Sequence, residues 1–524
     1  MKKTITTALV LLLTAALFAG GASEASKSAA SSSKVSVNET GFPIVNEPLT
    51  LTVFGIRDAN QAQWEDMLVF QEYEKMTGIH MDFQEVPDQG RDEKKSLLFA
   101  SNDLPDVFYR PMFLADEITR YGIESKQLMP LNDLIDKYCP NLKALLDSNP
   151  NYRKAITSAD GNIYALPQID TSNTGRMGFK QWINKDWLEA LGLEVPTTTD
   201  ELLEVLRAFK TQDPNGNGLA DEIPIALRES GAVFVTLNGS FGLHHYMDIC
   251  ANIEDGKVHI WYKDENFRDY LKFMNQLYSE GLLWADYYKR DLPNWRANLS
   301  SAKFGVFYMP YSDVFINVED QFTGFAPVDG GYGEPFWPDT KIGVEPSMTF
   351  ALSSTCKNPE AAMRWVDYFY SEEGSLFLRY GIEGKTYTVD EKGNARIMDS
   401  ILNDPRGFMT ALGEINCVPG GLIPSQITSA TEGIVASDLT KEVAALMIES
   451  LDDVVPAPSF TSEETDELLV IRQDLNKYVD ETVSRFILGE YDIDQMWDTW
   501  CKTLDKIGLA KMESIYQAAY DRQH

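Results

Sequence analysis

An α/β fold with a helical C-terminal region is predicted by three observations. Near the N-terminus, two alternating apolar/polar runs, Leu49–Phe54 and Ile79–Val86, flank a helical stretch from Trp64 to Met76. A second helical stretch, Arg91 to Ala100, then leads into Leu104-Pro-Asp-Val-Phe108. Strands alternating with helices imply parallel pairing with covering helices. The last sixty residues carry apolar residues at helical spacing instead.

Each element has a local cause. The first helix is expected to end at Gly78. Thr198 and Glu201 form a capping box ahead of Leu202, Val205, Leu206 and Phe209, which share one helix face. Phe304–Met309 reads as a buried strand. Asn358 is expected to cap a helix with Pro359 at its first position, with Ala362, Trp365, Val366 and Phe369 as its buried face and Gly374 as its stop. Leu468, Ile471, Leu475, Val479 and Phe486 mark a long helix ending at Gly489. Met496, Trp497, Trp500 and Leu504 mark another.

The N-terminus reads as an export signal. Lys2-Lys3 precedes an apolar run from Ala8 to Phe18 and the small residues Gly20-Gly-Ala22, so residues 1–22 form a cleavable signal peptide. The Ser/Ala-rich stretch 23–47 reads as a flexible tether, with the ordered chain starting near Pro48. No Cys near the cleavage site offers a lipid anchor. The net charge of -33 argues against nucleic acid and anionic membrane surfaces as partners. The five cysteines are far apart and form no CxxC pair, so a disulfide and buried thiols are both open.

The narrowest chemical statement lies at Asp213-Pro-Asn-Gly-Asn-Gly-Leu-Ala-Asp-Glu222. Asp213, Asn215 and Asn217 present an oxygen at every second position, Leu219 would offer its carbonyl, and Asp221 and Glu222 add carboxylates. These are hard oxygen donors of the kind Ca²⁺ takes. Pro224 stands where an EF-hand has its closing Glu, so Asp221 and Glu222 must close the shell. Every ligand is local, so the ion would be structural.

Catalytic constellations are not found. There is no HExxH. Asn238 replaces the first Gly of a GxSxG elbow, and Arg379 stands where a P-loop ending in Gly384-Lys385-Thr386 needs its leading Gly. Aromatics instead crowd residues 261–295 and 308–337, and rings on an apolar wall with a few polar groups suit a sugar. Trp295, Tyr311 and Trp337 are the best candidates, because each adjoins a proline-marked loop; Tyr308 lies beside them.

At this point the chain resembles a family. Ser101–Val107, Asp160–Pro167, Ile183–Gly192, Asn358–Gly374 and Tyr380–Tyr387 are similar, in order, to segments of bacterial extracellular solute-binding proteins, the substrate-binding subunits of ABC importers. The subgroup with large binding lipoproteins and alginate-oligosaccharide-binding proteins is the nearest in pattern. That resemblance implies a type 2 periplasmic-binding-protein fold: two α/β lobes joined by crossover strands, closing on a solute and presenting it to a membrane permease. Lobe 1 would be 48–175 plus 302–354, and lobe 2 would be 176–301 plus 355–524. The resemblance also places a structural Ca²⁺ on Asp213, Asn215, Asn217, Leu219, Asp221 and Glu222.

The implied product is a non-enzymatic, monomeric binding protein for an oligosaccharide in the periplasm or at the cell surface. Tyr109 and Arg110 follow a strand end, where open α/β sheets bind ligands. Asp170 and Arg176 lie in the expected crossover, and Glu383 and Tyr387 in the Gly-flanked turn. No local cluster of Arg or Lys is visible, which favours a neutral or modestly charged saccharide. A secreted lyase or hydrolase and a sensor partner of a membrane receptor are the rival readings.

Overall fold

The computed structural model describes residues 34–523 except 290, 313–314, 392–393, 420 and 435. The expected signal peptide, 1–22, and the first part of the expected tether, 23–33, lie outside the described residues.

Two sheets organise the chain. The first has the strand order 79–87, 49–57, 107–113, 348–352, 165–166. Its first three strands are parallel, in register Leu49↔Ile79 and Val53↔Val107, and 348–352 runs antiparallel to both neighbours. The second sheet has the order 322–324, 180–184, 304–309, 223–226, with Val306 opposite Ile183 (antiparallel) and Ile225 (parallel). Each sheet has its own apolar core.

Local signals act largely as expected. The helix Leu68–Thr77 ends at Gly78, whose φ of 76° needs no Cβ. Thr198 Oγ1 accepts from the Glu201 N–H at 3.1 Å and starts the helix Thr199–Thr211. The Glu201 carboxylate reaches Thr197 rather than Thr198, accepting from its N–H at 2.8 Å.

Five expectations need correction. Residues 302–328 belong to the second core, since strands 304–309 and 322–324 pair with 180–184. Residues 355–434 belong to the first, because Trp365 packs against Tyr73 and Tyr109, at 5.3 and 5.9 Å between ring centres. The chain therefore passes between lobes three times, near residues 171–179, 339–345 and 428–440. The tether ends earlier than Pro48: Ile44 and Val45 are buried, and the Ile44 N–H donates to the Thr77 carbonyl at 2.9 Å.

The last two corrections concern one helix. Asn358 does not cap with its side chain; its Oδ1 accepts from the Val35 N–H at 2.9 Å. Gly374 is not a stop. The helix Pro359–Asp367 runs into a turn, Ser371 caps a new helix Glu372–Tyr380, and Gly374 lies inside it. A Cβ there would stand 1.8 Å from the Tyr368 carbonyl oxygen, so glycine is required for close approach.

Three C-terminal helices, Ser462–Ile487, Ile493–Ile507 and Leu509–Gln523, pack on the second core. The third was not anticipated; it starts after Gly508, which has φ 120°. All five cysteines are free, and burial pushes the Cys250, Cys356 and Cys417 thiols up to about 12. No helix among the described residues is long and apolar enough to cross a membrane.

Candidate binding site where the lobes cross

The three crossing segments lie side by side. The Asp170 N–H donates to the Gly343 carbonyl (2.6 Å), Thr171 N–H to Ile427 (2.8 Å) and Lys341 N–H to Arg176 (2.7 Å). Ile169 pairs antiparallel with Val344, and Met177 with Thr340. Close approach is bought with glycines: a Cβ on Gly175 would lie 2.0 Å from Asp170 Cγ, and one on Gly178 would lie 2.1 Å from Asp339 Oδ2.

Polar side chains converge on this junction. Asp170 Oδ1 accepts from the Ser172 N–H at 2.9 Å and from Ser172 Oγ at 2.6 Å. Ser172 Oγ lies 3.1 Å from Thr174 Oγ1, which donates to Glu432. Burial raises the Asp170 carboxyl; the Ser172 hydrogen bonds and then Arg379 oppose that rise. Lys180 is fully buried and donates to the carbonyls of Pro310 (2.7 Å) and Thr174 (3.2 Å). Desolvation brings its ammonium down to about 8. Lys341 Nζ meets Asp339 Oδ1 at 2.8 Å, with Asp248 and Glu345 nearby.

The sequence-predicted residues divide clearly. Asp170 and Arg176 both lie on the first crossing segment, Arg176 with its side chain exposed, and the Tyr311 ring stands 5.1 Å from the Lys180 ammonium at the same junction. Trp337 stacks on Tyr308 at 6.0 Å and 18°, both rings buried in the second core, and its Nε1 donates to Phe179. Tyr109 is not on a solute-facing wall: it is fully buried, edge-on to Trp64 at 5.3 Å. Trp295 is likewise core, packed against Phe304 at 5.4 Å.

Arg110 is a bolt rather than an open group. It donates to the carbonyls of Leu422 (2.8 Å) and Ile56 (3.0 Å) and to Gln61 Oε1 (3.2 Å). Glu383 is exposed on the first lobe, and Tyr387 packs edge-on to Tyr380 at 5.6 Å. Sequence reasoning missed Lys180, Arg379, Glu432 and Lys341. Each is an ordinary charged residue locally; burial at the crossing distinguishes Lys180, Arg379 and Glu432, and the contact with Asp339 distinguishes the exposed Lys341.

The Asp213–Glu222 loop lies elsewhere. It precedes the N-terminal end of strand 223–226, whereas Tyr311 follows the C-terminal end of the parallel neighbour 304–309. The loop thus sits at the opposite end of the sheet from the crossing. Asp213 accepts from the N–H groups of Asn217 (3.1 Å) and Gly218 (3.0 Å), and Asn217 Oδ1 accepts from Leu219 (2.7 Å). Asp221 bonds Lys303 at 2.8 Å, and that hydrogen bond takes its carboxyl down to about 2. Glu222 Oε1 is buried without a hydrogen-bond partner; burial raises its carboxyl, and Asp221 and Asp213 raise it further. Among the described residues, no three His, Cys, Asp or Glu side chains are gathered closely enough to hold a metal by themselves. The Asn and backbone oxygens would have to complete any shell.

Residues 58–375 match the family described as bacterial extracellular solute-binding protein. The chain belongs to that family. Membership of an extracellular solute-binding family implies an exported protein, and the relatives are substrate-binding proteins. It is 30% identical over 533 residues to the fructooligosaccharide ABC transporter substrate-binding protein FusA of Streptococcus pneumoniae serotype 4, covering 98% of this chain and 97% of that one. A solved structure of an extracellular solute-binding protein from Bifidobacterium longum subsp. infantis superposes with TM-score 0.76 at 26% identity, covering 91% and 98% of the two chains. That of an EF-hand mutant of S. pneumoniae FusA in complex with fructo-nystose gives 0.69 at 28%, covering 90% and 99%. These neighbours share the mixed α/β fold with a helical C-terminal region.

Proposed function

We propose that this solute-binding protein captures a neutral oligosaccharide between its lobes and presents it, as a monomer, to the membrane subunits of an ABC importer. The observation that carries this reading is the near-complete overlap with a fructooligosaccharide-binding importer subunit. The crossing supports the neutral choice. Asp170, Asp248, Asp339, Glu345 and Glu432 balance or outnumber the nearby cations, so a carboxylate-bearing sugar would meet repulsion. Three crossing segments with close glycine contacts suit a hinge, and closing the lobes would expose a new surface to the permease.

Calcium belongs to the same proposal as a staple on the second lobe. Asp213, Asn215, Asn217, Asp221, Glu222 and the Leu219 carbonyl would hold it. The partnerless buried Glu222 oxygen beside two other carboxylates favours a cation there, and an EF-hand was the target of mutation in the FusA neighbour.

Isothermal titration of the mature protein with kestose, nystose, maltotriose and digalacturonate tests the solute. Micromolar or tighter binding of a neutral member supports the reading. Silence toward the neutral sugars, or preference for digalacturonate, would overturn it.

A further inference from the structure

Arg379 is a buried cation left without a partner. Its side chain is 3% exposed, its Nε has no hydrogen-bond acceptor, and no ion pair or hydrogen bond to it forms among the described residues. The residue is held firmly. It sits in the last turn of helix Glu372–Tyr380, its carbonyl accepts from Asn416 Nδ2 at 2.5 Å, and the Tyr380 hydroxyl donates to Thr431 on the third crossing segment. A guanidinium carries five N–H donors and no acceptor, and burying it unsatisfied is costly. Burial accordingly lowers its pKa, with Asp170 and Tyr311 among the groups opposing that.

Asp170 lies on the strand next to that helix: Ser375, one turn before Arg379, donates to the Gln426 carbonyl at 2.6 Å, and the adjoining Ile427 pairs with Asp170. Its Oδ1 is taken by Ser172, and no hydrogen bond or ion pair joins it to Arg379 although the two charges attract. A carboxylate accepts only and a guanidinium donates only. A sugar hydroxyl does both, so it can accept from the one while donating to the other. The Tyr311 ring carries the Lys180 ammonium over one face, 5.1 Å from its centre, and its other face is an apolar surface of the kind on which a sugar ring stacks.

We propose that Arg379 and Asp170 form a split donor–acceptor pair that a hydroxyl of the solute's sugar ring bridges, with Tyr311 beneath that ring. This rests on the oligosaccharide reading of the site.

The experiment pairs affinity with stability. Kestose and nystose are titrated calorimetrically into the mature wild-type protein and into Arg379→Met, Arg379→Lys and Asp170→Asn, and each protein is melted without sugar. Arg379→Met is expected to weaken binding of the better sugar at least about tenfold, roughly 1.4 kcal/mol. Its Tm should hold or rise, because an unpaired buried charge has been removed. Arg379→Lys should fall between, and Asp170→Asn should also weaken binding. If Arg379→Met binds like wild type, or if its Tm falls by several degrees as for a structural cation, the inference is overturned while the oligosaccharide reading stands. If wild type binds neither these sugars nor maltotriose, that reading fails and the inference with it.

Discussion

The Lys180 ammonium lies 5.1 Å from the centre of the Tyr311 ring and donates to the carbonyl of Pro310, the residue just before it. A fully buried lysine is thus held by two carbonyls and a ring face, with no ion pair among the described residues. Carbonyls and an aromatic face offset only part of the lost hydration.

That arrangement predicts an unusual pH dependence. The Lys180 pKa falls from 10.5 to about 8 on folding, so between those values the unfolded chain binds more protons. Stability from this group therefore rises with pH across the window, and the charging cost is fully present below pH 8. Wild type should gain on Lys180→Met by up to about 3 kcal/mol as pH climbs from 8 to 10.5. Urea melts of both proteins at pH 7.5 and 10 check this; a constant difference would rule it out.

Calcium should stabilise the second lobe without touching the solute. Extracellular sites bind at about 10⁻⁴–10⁻³ M, so ion at a hundred times the dissociation constant should add about 2.7 kcal/mol. EDTA should lower Tm and leave the sugar stoichiometry unchanged, and Glu222→Gln should blunt the calcium effect. Identical melting curves with and without EDTA, and no bound metal by mass spectrometry, would reduce the loop to a turn.

The hinge should not tolerate a methyl group. Gly175→Ala pushes a Cβ into Asp170, and Gly178→Ala pushes one into Asp339. Each should cost about 1–3 kcal/mol by overpacking. Gly175→Ala should also weaken sugar binding, since it displaces the carboxylate beside Arg379. Melting and calorimetry with both variants unchanged would show that the crossing is softer than its contacts imply.

Asp367 offers a test far from the cleft. Its buried carboxylate accepts from the Leu142 N–H at 2.8 Å and from Asn141 Nδ2 at 2.9 Å, at the start of helix Pro140–Ser148. Burial raises it from 3.8 to about 6. Here the folded state binds more protons between those values, so this group's contribution falls as pH rises through the window. Asp367→Ala should lose about 1–3 kcal/mol from the stranded donors, and Asp367→Asn less. Denaturant melts at pH 4.5 and 7 read both effects; equal stability of all three proteins would refute it.

Local chemistry was legible wherever a few adjacent residues suffice. Gly78 ends a helix because its own φ requires it, and Thr198 starts one because its hydroxyl is three residues from the N–H it caps. The oxygen-rich loop at Asp213 was equally plain. Burial was not. Tyr109 and Trp295 carried the same local marks as surface rings, yet both are core, because ring packing is decided by strands and helices far away in sequence. Lobe membership failed for the same reason: 302–328 joined the second sheet through pairing with 180–184, more than a hundred residues earlier.

By itself the sequence determined the early β/α alternation, the helix boundaries at Gly78 and Thr198, the oxygen donors of the loop and the family resemblance; the boundaries and the donors rest on contacts within a few residues. Only the tertiary structure decided that Asp170, Lys180, Tyr311, Arg379 and Glu432 share one junction. Three crossings of the chain bring those residues together, and the burial that results leaves the Arg379 Nε without a hydrogen-bond acceptor.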